Sequence, residues 1–148
     1  MSVDRSFVSE NDTERAHLRA LVARLSDTDL ARPLPAGWTV AAVLGHLAFW
    51  DQRILLLLDA WQGKGIAPPP HHEADTDWIN DAGKIFLLAM PPRQLADLAV
   101  SIAEAVDRRV ATLSDELVTR NAAAGSPVSL RRSEHRREHL DEIESALR

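Results

Sequence analysis

Three histidines carry the clearest chemical signal in this sequence: His46, inside a strongly apolar run, and His135 with His139, four residues apart near the C-terminus. Side chains at i and i+4 project from one face of a helix. Two imidazoles so placed, joined by a third from another helix, can hold one metal ion and leave coordination positions for water or substrate. That arrangement suits Lewis-acid chemistry or the lowering of the pKa of a bound water. His71 and His72 follow Pro68-Pro69-Pro70 and precede Glu73, Asp75 and Asp77, which reads as a solvated loop. His17 has no partner at a suggestive spacing and is assigned no role.

Arginine placement adds a second signal. Arg131, Arg132, Arg136 and Arg137 crowd the first half of the last helical segment, ahead of Asp141, Glu142 and Glu144. That order opposes the helix dipole, which favours acids at the start and bases at the end. Guanidinium groups beside a metal can hold the carboxylates of an anionic substrate or cosubstrate; they can equally form solvated or intrahelical pairs. Arg132 and Arg136 are the candidate anion contacts. Glu138, Glu142 and Asp51 are candidates for orienting a ligand or moving a proton.

Helices must position these groups. Apolar residues recur at helical spacing almost throughout, while alternating β-branched stretches are nearly absent. A first helix is predicted from Asn11 or Asp12, as N-cap, to Leu25, followed by a connection from Ser26 to Gly37. Thr39 caps a long second helix from Val40 to about Gln62, with Gly63 and Gly65 as its stop. A shorter helix is expected from Asp75 or Thr76 to Pro91-Pro92, and a third main helix from there to about Ser114. Asn121 to Pro127 reads as loop, and Ser129 to Leu147 as the fourth main helix.

Four long helices with one short insert predict an all-α four-helix bundle forming a single domain. In the last helix the apolar stripe Leu140, Ile143, Leu147 continues backwards into Arg136, Ser133, Arg132 and Ser129. The expectation is a bundle dry at one end with a polar cleft at the other, where the imidazoles meet. Trp38 and Trp50 are expected to pack rather than to bind.

Composition sets bounds. The 148 residues are 45% hydrophobic, enough for one core, and the net charge is -5, with no basic tract to match a run of phosphates. A small-molecule substrate is expected, not nucleic acid. With no cysteine, disulfides, thiolate metal sites and cysteine nucleophiles are excluded, so any thiol chemistry uses a borrowed thiol. The start, Met-Ser-Val-Asp-Arg-Ser, lacks the marks of a secretion signal, and no apolar run looks long enough for a membrane span. A cytoplasmic protein without a membrane partner is expected.

The stretch from Leu34 through Gly37-Trp38-Thr39 to Gly45-His46-Leu47, followed by Asp51 and Arg53, resembles the second-helix signature of the DinB-like superfamily. Glu134-His135-Arg136-Arg137-Glu138-His139-Leu140-Asp141-Glu142-Ile143 resembles its last-helix signature. That superfamily includes the N-terminal domain of mycothiol-dependent maleylpyruvate isomerase and related metal-dependent hydrolases. The resemblance implies an up-down-down-up bundle, a homodimer, and a divalent ion, zinc or nickel, held by His46, His135 and His139. It also implies an enzyme that is either a hydrolase or a transferase or isomerase using a low-molecular-weight thiol such as mycothiol. Relatives often carry an asparagine where Asn80 stands, and a cap or backbone hydrogen bond explains it as well. The second domain that accompanies the isomerase bundle has no counterpart in these residues, which argues against carrying over that particular activity. The competing reading is a noncatalytic helical module that binds a small molecule or a partner, which a closed coordination site would favour.

Overall fold

A glycine-terminated, 25-residue helix organises the molecule. In the computed structural model, which describes residues 3–148, α3 (Val40–Lys64) begins where the Thr39 hydroxyl accepts the Ala42 N–H and ends at Gly65, whose φ of 66° suits a residue without Cβ. Met1 and Ser2, the start of the segment read for a secretion signal, lie outside the described residues. The other helices are α1 (Ser6–Arg24), α2 (Asp27–Leu30), α4 (Glu73–Ala89), α5 (Pro92–Ala111), α6 (Asp115–Ala123) and α7 (Ser133–Leu147). No strand occurs among the described residues, only an isolated bridge between Pro33 and Thr39.

Helices α3, α5, α1 and α7 pack in a closed ring, each against the next, and α4 lies outside it against α3. This is the all-α, DinB-like four-helix bundle. By length and composition α3 could cross a membrane, contrary to the sequence expectation: its most apolar window has a mean hydropathy of 1.3. The fold gives that apolarity another use, because 67% of the window is buried inside the bundle. The side of α3 that carries Gly45 comes so close to its neighbours that a Cβ there would sit 2.7 Å from Leu95 Cδ2 and 2.9 Å from Leu87 Cδ2.

Several boundaries differ from the prediction, some for tertiary and some for local reasons. Asn11 does not cap α1, which starts at Ser6; it is buried within the helix, donates to the Leu130 carbonyl (2.9 Å) and accepts the Ser133 N–H (2.9 Å). It thereby caps α7, which begins at Ser133 and not at Ser129. The connection after α1 contains α2, closed by a capping box between Ser26 and Asp29. The inserted helix α4 is 17 residues long with no buried residue. Residues assigned to loop at Asn121–Ala123 belong to α6, whose Asn121 side chain bonds both the N–H and the carbonyl of Val128 and so folds the following loop back.

The interior is apolar at both ends and ionic in the middle, which corrects the expectation of one dry end and one polar end. One apolar cluster joins Leu18, Leu21, Leu44, Leu47, Leu95 and Leu140; the other joins Phe7, Ile54, Leu58, Val106, Val110 and Leu117. Along α3, Asp51 falls between the two clusters; so do Asn11 on α1 and Arg136 on α7, with Asp107 beside Val106 on α5. The helix α6 and Val128, absent from the sequence reading of the core, complete the second cluster.

At the outer edge of this frame His17 gains partners that its sequence neighbours did not suggest. It pairs with Glu14 (3.1 Å) and with Glu144 of α7. Burial lowers the pKa of His17, but the hydrogen bonds it donates to Glu14 and Glu144 outweigh it and the net shift is upward. A raised folded-state pKa stabilises most below the unfolded value near 6.5, and that contribution is lost as pH rises through the folded value. Thermal melts of wild type and His17→Gln should therefore differ most on the acid side of neutrality and converge at alkaline pH; a gap constant with pH would show that packing alone is involved.

Candidate metal centre and its cleft

The spacing of His135 and His139 on α7 and the single His46 on α3 converge as the sequence suggested. The ligand nitrogens of the three rings all lie within 4.8 Å of one another. His46 Nε2 and His135 Nε2 are 3.0 Å apart, and the three ring centroids are 4.8 to 4.9 Å apart. Metal–nitrogen bonds of about 2.0–2.1 Å in a tetrahedron put ligand nitrogens roughly 3.3 Å apart, so the triad needs only small ring rotations to share one ion.

Electrostatics favour the form that ligation needs. Burial, with the nearby His139 ring, lowers the His46 pKa to about 4. Burial, then the charges of His139, His46, Arg132 and Arg136, lowers that of His135 to about 2. Both rings are therefore neutral at physiological pH, with lone pairs available. His139 Nδ1 lies 3.2 Å from a Glu142 oxygen, so its N–H donates there and its Nε2 is left to bind metal. Glu142, one of the candidates for orienting a ligand, is thus the hydrogen-bond partner of the His139 ring.

The triad opens into a cleft of about 890 Å³ between α3, α4 and α7, lined also by Trp38, Trp50, Arg53, His71, Glu138 and Arg132. Its walls are organised by contacts the sequence reading did not anticipate. Trp50 is 8% exposed, packs edge-on to His46, and donates its indole N–H to Asn80 Oδ1 at 2.8 Å, tying α4 to α3. Asn80 is therefore neither a cap nor a backbone partner. Trp38 packs edge-on against His46 from the other side. The tryptophans serve packing and cleft wall together.

His71, read as a solvated loop residue, lines the same cleft. It meets Trp50 (5.7 Å between rings), the Arg53 guanidinium (3.4 Å) and Thr76 Oγ1 (2.7 Å). No local pattern in the proline-rich loop marks it; the signal lies in the packing of α4 on α3.

The two arginines proposed as anion contacts have different positions. Arg132 lines the cleft while its Nε donates to Asp51 Oδ1 at 2.8 Å. Arg136 is 1% exposed, makes two 2.7 Å bonds to Asp107 and one of 3.2 Å to Asp51, and does not line the cleft. Burial alone would lower its pKa, but Asp107 and Asp51 raise it, so its charge is held inside the bundle. Asp51, 2% exposed, is committed to the same ionic layer, whereas Glu138 faces the cleft.

No curated protein and no solved structure gives a significant match to the chain. A family profile does, over residues 12–144, which span both signature segments and all three histidines. The chain belongs to the mycothiol maleylpyruvate isomerase N-terminal domain family, a DinB-like family.

Proposed function

We propose that the protein is a metal-dependent enzyme acting on a small molecule, with His46, His135 and His139 as the ligands of a divalent ion, zinc or nickel. The observation that carries this reading is the convergence of three imidazoles, two of them held neutral, at the floor of an open cleft. Imidazole donors suit either metal. The openness of the cleft beside the triad supports a catalytic site over a closed structural one.

A bound ion would supply Lewis acidity, polarising a carbonyl or lowering the pKa of a coordinated water or thiol. The chain's own residues do the rest. Glu142 fixes the His139 tautomer, Glu138 stands in the cleft as a carboxylate to accept a proton, and Trp38 and Trp50 pack edge-on against His46 and hold its ring. Membership of a mycothiol-linked family favours a thiol-dependent transferase or isomerase over a hydrolase, and the absence of cysteine requires the thiol to come from a cosubstrate. The test is untagged protein analysed for metal and then assayed for consumption of mycothiol in the presence of electrophilic carbonyl compounds. Close to one ion per chain and a rate abolished by chelation are expected; stoichiometric metal with no chelator-sensitive rate for thiol or ester substrates would leave a binding module.

The same reading includes a homodimer. Trp78, Ile85 and Phe86 on α4 and Phe49 and Leu56 on α3 are exposed, Ile85 and Phe86 each by 70%. Among the described residues α4 packs mainly on α3 and leaves this face open, so a second copy laid against it would bury both stripes in a self-complementary contact. Ile85→Glu with Phe86→Glu should convert the protein to monomer in sedimentation while the circular dichroism stays helical; an unchanged sedimentation coefficient would exclude this face.

A further inference from the structure

We propose that Arg53 is the anion-binding residue of the cleft and holds the carboxylate of an elongated substrate whose reacting end lies at the three histidines. The proposal rests on the reading of that triad as a metal centre.

His46, Trp50 and Arg53 stand at i, i+4 and i+7 on α3 and all line the cleft. Helical rise separates the first from the last by about 10 Å. The cleft therefore presents, in order, an imidazole site, an aromatic wall and a cation.

The Arg53 guanidinium is held in orientation by its neighbours without being paired to a carboxylate. Its guanidinium lies over the Trp50 ring, 5.5 Å from the centroid, and its NH2 group faces His71 Nδ1. With Nδ1 as acceptor, His71 donates from Nε2 to Thr76 Oγ1, which holds the ring in place. A guanidinium has five N–H donors, and this arrangement fixes its plane while leaving most of them free. Among the described residues no carboxylate lies within 4.0 Å of Arg53, whereas Arg132 in the same cleft is paired with Asp51. Burial, then the Arg132 charge, presses the Arg53 pKa downward, the mark of a half-buried cation without a counter-ion.

The surrounding charges select the anion. Glu73, Glu138 and Glu142 line the same cleft, so a dianionic phosphate would meet repulsion that a single guanidinium does not offset. A carboxylate matches the fork in charge and geometry. The ligand inferred is a molecule with a metal-reactive group at one end, an apolar middle lying on Trp50, and a carboxylate about 10 Å away.

The experiment uses zinc-loaded full-length protein and mercaptoalkanoates from mercaptopropionate to mercaptooctanoate, with mercaptoalcohols of equal length as neutral controls, measured by calorimetry. The acids should gain over the alcohols as the chain lengthens, reaching roughly tenfold, the worth of a charged hydrogen bond. Arg53→Gln should abolish that gain with zinc content and alcohol affinity unchanged, and Arg53→Lys should keep only part of it. No acid preference at any length, or the same preference in Arg53→Gln, would overturn the proposal. Failure to load zinc would instead sink the metal reading. Arg53 would then be tested on metal-free protein by the shift of the Trp50 indole N–H resonance with hexanoate against hexanol: a hexanoate-specific shift lost in Arg53→Gln supports the site, and an equal response removes it.

Discussion

Replacing His135 with alanine is expected to lower zinc affinity by more than about 100-fold, so that the purified variant carries almost no metal. Removing the orienting partner of a metal-bound histidine typically costs 10–100-fold, and removing a ligand itself costs more. Burial lowers the pKa of His135 further than that of His46, and its Nε2 faces that of His46 at 3.0 Å. His139→Ala should behave alike. Glu142→Gln should cost about tenfold, at the low end for an orienting carboxylate, because Glu142 is 40% exposed and water can replace it. Competition against a chromophoric chelator measures all three. His135 borders a cleft and belongs to neither apolar cluster, so helicity should survive. Full zinc content in His135→Ala and His139→Ala would show that the triad is not the metal centre.

That the histidines could be read from sequence follows from geometry local to one helix. The i, i+4 pair on α7 and the Thr39 cap that sets the register of α3 are short-range facts, and the apolar stripes on α3 and α5 place both helices in the core. The residues that escaped are those whose partners are remote in the chain. Asn11 looks like a local cap, yet its hydrogen bonds reach Leu130 and Ser133. His71 reads as loop until α4 folds onto α3 and brings it to Trp50 and Arg53. The short α6 escaped because its few apolar residues complete a cluster built mainly by other helices. The arginines at the start of α7 conflict with the helix dipole when the helix is read by itself. For Arg132 and Arg136 the resolution, acids contributed by α3 and α5, is invisible to a pattern confined to one helix.

Those acids also make the interior ionic layer the most sensitive point of the fold. Arg136 bridges two buried aspartates, Asp107 through both terminal guanidinium nitrogens and Asp51 through one of them, while Arg15 closes on Asp107 at 2.8 Å and Arg132 on Asp51. Removing one partner of a buried pair exposes the other's desolvation penalty, about 3–5 kcal/mol, and Arg136→Ala also empties the volume of a large fully buried side chain. For a chain of this size each kcal/mol shifts Tm by roughly 2–4 °C, so the variant should melt at least about 10 °C lower. Asp51 keeps Arg132 and Asp107 keeps Arg15, which is why folding at low temperature should survive. Arg136→Lys should fall between, since an ammonium cannot span both carboxylates with a fork. Arg136 adjoins His135 in the chain and its charge works against a cation there, so a loss of zinc binding in the folded Arg136 variants would report displacement of the His135 ring and not the lost charge. Calorimetric melts at matched metal content separate the two effects. A Tm change of only a degree or two for Arg136→Ala would mean that water enters the layer and that α7 is held to the bundle by its apolar stripe alone.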